Sequence, residues 1–243
     1  MERQQSVREG ERGFTLVELS IVLVIIGLLI GGVLKGQELI ESSRLNSVAT
    51  QYNSFLAAVN TFQDKYQALP GDLPTAATRI PNCAAGTCGT PTSGTIGDGI
   101  VDTVNTAGTT AAVAGSEGAF FWQQMSAANL ISGIQAAGAT YGQQYPAAKT
   151  GGGFTVLNTT PNAAGGHWFR LSSGAPTAAV GAVANSQAMS PNQVATLDRK
   201  VDDGLAFVGN VQTQAATSAA GCNAAAYVET TTAKNCNPFF KLN

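Results

Sequence analysis

Few residues in this chain have the type and spacing for chemistry, and the most unusual of them is one carboxylate, Glu18. It is the only charged residue in the apolar run 14–34. An acid that deep in a membrane-length helix costs roughly 2.5 kcal/mol or more unless a partner neutralises it, and the run offers no cation. The four cysteines, Cys83, Cys88, Cys222 and Cys236, form local pairs five and fourteen positions apart, which is not the CxxC spacing of a metal or redox motif. In an exported domain they point to two disulfides. Four cysteines allow three pairings, with Cys83–Cys88 and Cys222–Cys236 the local choices and free or differently paired thiols the alternative.

The remaining candidates are sparse. His167 is the only histidine, so neither a zinc site nor a serine-histidine-aspartate triad has its partner set. Asp198, Asp202 and Asp203 fall near the C-terminal end of an expected helix, where negative charge opposes the dipole and a cation should offset it. Arg199 and Lys200 are one source of that charge. Calcium bound by Asp202, Asp203 and nearby carbonyls is the sharper reading, because hard cations take oxygen ligands. The EF-hand pattern is missing there and around Asp98 and Asp102. Asn158-Thr159-Thr160 matches a glycosylation sequon, a pattern too common to carry weight. No enzyme site emerges, and no cofactor is expected beyond that calcium.

The elements that position these residues follow from periodicity. At ~1.5 Å per helical residue, the run 14–34 spans the ~30 Å of a bilayer's hydrocarbon core. A secretory signal would have a shorter apolar core and a small-x-small cleavage site after it, whereas here Lys35 and a charged helical stretch follow. An uncut membrane anchor is the other alternative. Arg3, Arg8 and Arg12 precede the span, against Lys35 and Arg44 beyond it, which favours a cytoplasmic N-terminus. Gly27, Gly31, Gly32 and Gly36 give two GxxxG spacings, which allow close helix packing and are also common in membrane helices generally.

Past Lys35 the helix continues with an apolar stripe at Leu45, Val48, Tyr52, Phe55, Leu56, Val59, Phe62 and Tyr66. Leu69-Pro70-Gly71-Asp72-Leu73-Pro74 is expected to stop it. The stretch 80–115 reads as a long surface loop rich in threonine, alanine and glycine. A short helix is expected after Ser116, another after Ser190-Pro191 with Gln193 reaching back to the cap, and strands over 154–157, 168–171, 205–211 and 227–231. The expected fold class is therefore α+β, a long N-terminal helix packed on a C-terminal domain with an antiparallel sheet. The boundaries are 1–13 for a leader, 14–69 for the helix (14–34 transmembrane, 35–69 amphipathic) and 70–243 for a globular domain. With 243 residues, 44% of them apolar, 12% charged and a formal charge of −2, nothing indicates a broad nucleic-acid footprint.

The N-terminal segment resembles the type IV prepilin and pseudopilin signal: a short polar leader ending in Gly13, then Phe14, then Glu18 five residues past the cut, then a long apolar helix. The resemblance implies cutting between Gly13 and Phe14 by a prepilin peptidase at the cytoplasmic face, N-methylation of Phe14, and assembly of the helix into a filament core, where Glu18 meets the Phe14 amine of a neighbouring subunit. It implies a pilin-like domain, partners that are copies of this chain, other pilins or pseudopilins and an inner-membrane assembly platform, and a passage from the inner membrane to a cell-surface pilus or periplasmic pseudopilus. A type II secretion pseudopilin and a minor pilin or adhesin stand as alternatives. Many relatives carry a proline in the apolar helix; this chain has none before Pro70.

Overall fold

The computed structural model describes residues 13–84, 88–91, 94–102, 115–135, 140–158, 166–174, 187–213, 222 and 226–242. Except for Gly13, the expected leader, 1–13, lies outside them. The chain divides into two compact units, Met1–Ser43 and Arg44–Asn243, and the division falls inside one continuous helix. That helix, α1, runs over Leu16–Tyr66. No proline or long β-branched-polar stretch interrupts it, and it ends three residues short of the expected Leu69. The physical stop is Gln67, in the left-handed region at φ 55° with its N–H on the Gln63 carbonyl at 2.8 Å, so the chain leaves the helix before Pro70 can act.

In the second unit the face of α1 bearing Leu45, Val48, Tyr52, Phe55, Ala58, Val59, Phe62 and Tyr66 is buried. This is the expected stripe, with Ala58 added and Leu56 at its margin. The stripe packs on a four-stranded antiparallel sheet in the order β1-β2-β4-β3. Its strands are β1 (Gly153–Asn158), β2 (His167–Ser172), β3 (Val211–Thr213) and β4 (Pro238–Lys241). Phe55 is the hub, its ring centroid 4.9 Å from Trp122, 5.3 Å from Phe154 and 5.9 Å from Phe169. Tyr52 lies 5.1 Å from Phe240 and donates its hydroxyl to the Lys241 carbonyl at 2.9 Å. A buried phenylalanine contributes roughly 1.5–3 kcal/mol by area alone, so this aromatic cluster fixes α1 to the sheet.

Three shorter helices complete the domain: α2 (Ala76–Arg79), α3 (Glu117–Ala127) and α4 (Pro191–Val201). α3 starts where Ser116 accepts the Ala119 N–H, and α4 starts with a full capping box between Ser190 and Gln193. On β2, alternation sends Phe169 and Leu171 into the main core and Trp168 to the other face, where it is buried with Leu157 and Phe239.

Two strand expectations are corrected. The stretch 205–211 is mostly turn, and only Val211 enters a strand. The cause is Asp202, whose carboxylate accepts the N–H groups of Asn210 and Val211, while Gly209 turns the chain at φ 79°. The stretch 227–231 is a turn closed by the Thr231 N–H on the Val228 carbonyl at 3.0 Å. The strand beside β2 is instead Pro238–Lys241. Disulfides join Cys83 to Cys88 and Cys222 to Cys236.

Candidate functional site

The candidate assembly segment begins at Gly13, Phe14 and Thr15, which precede α1 in non-helical conformation. Phe14 is 87% exposed. Thr15 and Glu18 satisfy one another: the Thr15 N–H and hydroxyl both donate to Glu18 Oε2 at 2.9 Å, and the Glu18 N–H donates to Thr15 Oγ1 at 3.2 Å. This is the geometry of a capping box, which occupies donors that the first helical turn leaves unsatisfied. Sequence reasoning missed it, although a threonine three residues ahead of a glutamate before an apolar run is its signature. The partners are neutral, so the box orients the carboxylate and leaves its charge in place.

Beyond Glu18 the helix presents apolar side chains on every side. From Leu16 to Ile40 the large apolar residues are all exposed, from 45% at Ile26 to 90% at Leu16. A Cβ placed on Gly27, Gly31, Gly32 or Gly36 would meet nothing within 4 Å. These glycines form shallow notches with room for another backbone. Among the described residues, α1 is the one helix long and apolar enough to cross a membrane.

The other candidates separate in space and role. His167 sits at the start of β2, and its Nε2 accepts the Val101 N–H at 3.0 Å. Burial lowers its pKa, against the opposing pull of Asp72, Asp98 and Asp102, so it stays a neutral structural acceptor. Asp198, Asp202 and Asp203 do converge, with one carboxylate oxygen of each within 4.8 Å of the others. Asp198 is fully buried, its Oδ2 accepts the Tyr227 hydroxyl at 2.7 Å, and its Oδ1 has no hydrogen-bond partner. Burial pushes its pKa up to about 6.

Neither expected counter-charge forms an ion pair with this cluster, although the charge of Asp198 acts on Arg199. Arg199 pairs with Glu229, and Lys200 donates to Asn46. The oxygen-only donor set and the orphaned Asp198 Oδ1 fit a hard cation such as calcium. Asp202 also has a structural task, because its carboxylate organises the turn into β3. Thr159 and Thr160 of the sequon lie outside the described residues.

A membrane-length helix continuing into an amphipathic half packed on an antiparallel sheet is an α+β, pilin-like architecture. Residues 9–34 match the family model described as the prokaryotic N-terminal methylation motif, which is the signal of type IV prepilins and pseudopilins. The chain is thus type IV pilin- or pseudopilin-like, and the matched stretch contains Gly13, Phe14, Glu18, Gly27, Gly31 and Gly32. No curated protein and no solved structure matches the chain.

Proposed function

We propose that this protein is a structural subunit of a type IV pilus or related filament. A prepilin peptidase cuts between Gly13 and Phe14 at the cytoplasmic face of the inner membrane, Phe14 is N-methylated, and an inner-membrane platform feeds the subunit into a polymer with its own copies or other pilins. The observation that supports this reading is the contrast inside the methylation motif: helix-wide apolar exposure interrupted by one acid whose local partners carry no charge. The freed Phe14 amine of an adjacent subunit supplies the missing cation. Breaking such a buried pair by removing one partner costs roughly 3–5 kcal/mol, enough to make register specific.

The mechanism is physical and not catalytic. Apolar helices associate through van der Waals packing, and the glycine notches let backbones approach. Calcium held by Asp198, Asp202 and Asp203 is proposed as the domain's ion, on the strength of the orphaned buried oxygen.

Replacing Glu18 with alanine tests the pairing. The variant is expected to insert in the membrane and be cut normally, yet to enter filaments poorly; filaments at wild-type yield would contradict the pairing. In the same strain, lost surface fibres with intact protein export support a pilus, whereas lost export with intact fibres supports a type II secretion pseudopilus.

A further inference from the structure

The first residue of α3, Glu117, is fully buried. Its Oε2 accepts the Asp102 N–H at 2.6 Å, while its Oε1, equally buried, meets no donor. A buried carboxylate oxygen left without a partner is costly. Its surroundings are acidic. Asp72 accepts the N–H groups of Gly97 and Gly99, Asp98 Oδ1 accepts that of Ile100 at 2.8 Å, and Asp102 Oδ2 accepts that of Thr95 at 3.2 Å. These bonds shape the loop 94–102 around the carboxylates but cancel none of their charge.

Among the described residues no lysine or arginine forms an ion pair with any of the four acids. His167, the basic group that faces this loop from the start of β2, spends Nε2 on the Val101 N–H. Gly94 backs onto the gap between two of the acids: a Cβ there would lie 3.0 Å from Asp102 Cβ and 3.1 Å from Glu117 Oε1.

We propose that the loop 94–102, with Asp72 and Glu117, is a binding site for a hard divalent cation of calcium's class, anchored by Glu117 Oε1 and by Asp102 Oδ1. Both are oxygen ligands: Glu117 Oε1 has no hydrogen-bond partner, and in each carboxylate it is the other oxygen that a backbone N–H holds. Calcium accepts six to eight oxygens in flexible geometry, so loop carbonyls and water complete the shell, whereas magnesium's stricter octahedron and tightly held water suit a loop of this kind poorly. Bound there, the ion ties the segment that follows α2 to the start of α3. The site is distinct from the Asp198 cluster and shares no residue with it.

The test uses the full chain in detergent micelles, stripped with a chelator and titrated with calcium chloride. Thermal unfolding and titration calorimetry are followed in wild type, Glu117→Gln, Asp102→Asn and Asp203→Asn. At ~1 mM calcium, the concentration range of extracellular modules, the midpoint should rise by about 3 °C or more. One calorimetric site should persist in Asp203→Asn and be weakened at least ~10-fold in Glu117→Gln and Asp102→Asn, each of which keeps only the part of the rise that belongs to the Asp198 cluster. Equal magnesium should give a smaller rise. No response to calcium in wild type, or a response lost only in Asp203→Asn, would overturn the proposal. So would calcium binding at wild-type strength and wild-type stoichiometry in a folded Glu117→Gln protein, and if Asp102→Asn fails to fold, Glu117→Gln decides the matter alone.

Discussion

The two halves of α1 share one backbone and differ in what their side chains touch. Between Leu16 and Ile40 large apolar residues occupy every side of the helix and all are exposed. Between Leu45 and Tyr66 they keep to steps of three and four and, apart from Leu56 at the margin, are buried. A helix that is apolar all round needs an apolar surrounding, while one with a stripe needs a single packed face in water. One element is therefore written for two solvents, and the change of pattern near Ser43 is where the compact units divide.

Substitutions sharpen this contrast. The largest effect is expected from Phe55→Ala, which removes the ring that touches Trp122, Phe154 and Phe169. It should destabilise the domain by ~3–5 kcal/mol, a drop of about 10 °C in thermal midpoint, read by circular dichroism. Gly71→Ala comes next. Gly71 has φ 87° and its added Cβ would lie 2.3 Å from the Glu117 carbonyl oxygen, so a loss of about 1–3 kcal/mol is expected in the same assay.

A third effect is one of pH. Burial, assisted by the charges of Asp72, Asp102 and Asp98, pushes the Glu117 pKa up to about 8 from 4.5. With His167 neutral, the native state of calcium-free protein therefore keeps a proton that the unfolded chain releases. The stability this contributes is fully present below about pH 4.5 and is lost as pH rises through about 8. Urea melts across that window should show the decline in wild type and a flatter profile in Glu117→Gln. The smallest effect belongs to the other half of α1: Leu28→Ala, at a side chain 75% exposed, should leave the domain's midpoint unchanged within ~0.5 kcal/mol while weakening assembly.

What the sequence disclosed tracks how local each signal is. The α4 capping box, the Ser116 cap and the apolar stripe of α1 are written in neighbouring residues, and they form as expected. β1 and β2 extend one residue beyond each expected end. β4 was hidden because it is four residues long and opens on Pro238, a residue tolerated at a strand's first position but adverse to strand patterning. The stop of α1 at Gln67 required a non-glycine residue to adopt positive φ, which composition does not announce. At the acidic loop, Asp72 and Glu117 are 45 positions apart in sequence, and only the docking of Gly71, whose N–H reaches Gln124 Oε1 at 2.7 Å, brings the turn after α1 to α3. The Thr15–Glu18 box is as local as those caps, its bonds running between residues three apart, and is legible in the Thr-x-x-Glu spacing.

The most direct measurement of the central claim is the intact mass and N-terminal sequence of the mature subunit recovered from its cells. The account predicts a chain that starts at a methylated Phe14, with residues 1–13 removed. A mature protein still carrying Met1, with Glu18 facing lipid in an isolated subunit, would contradict it.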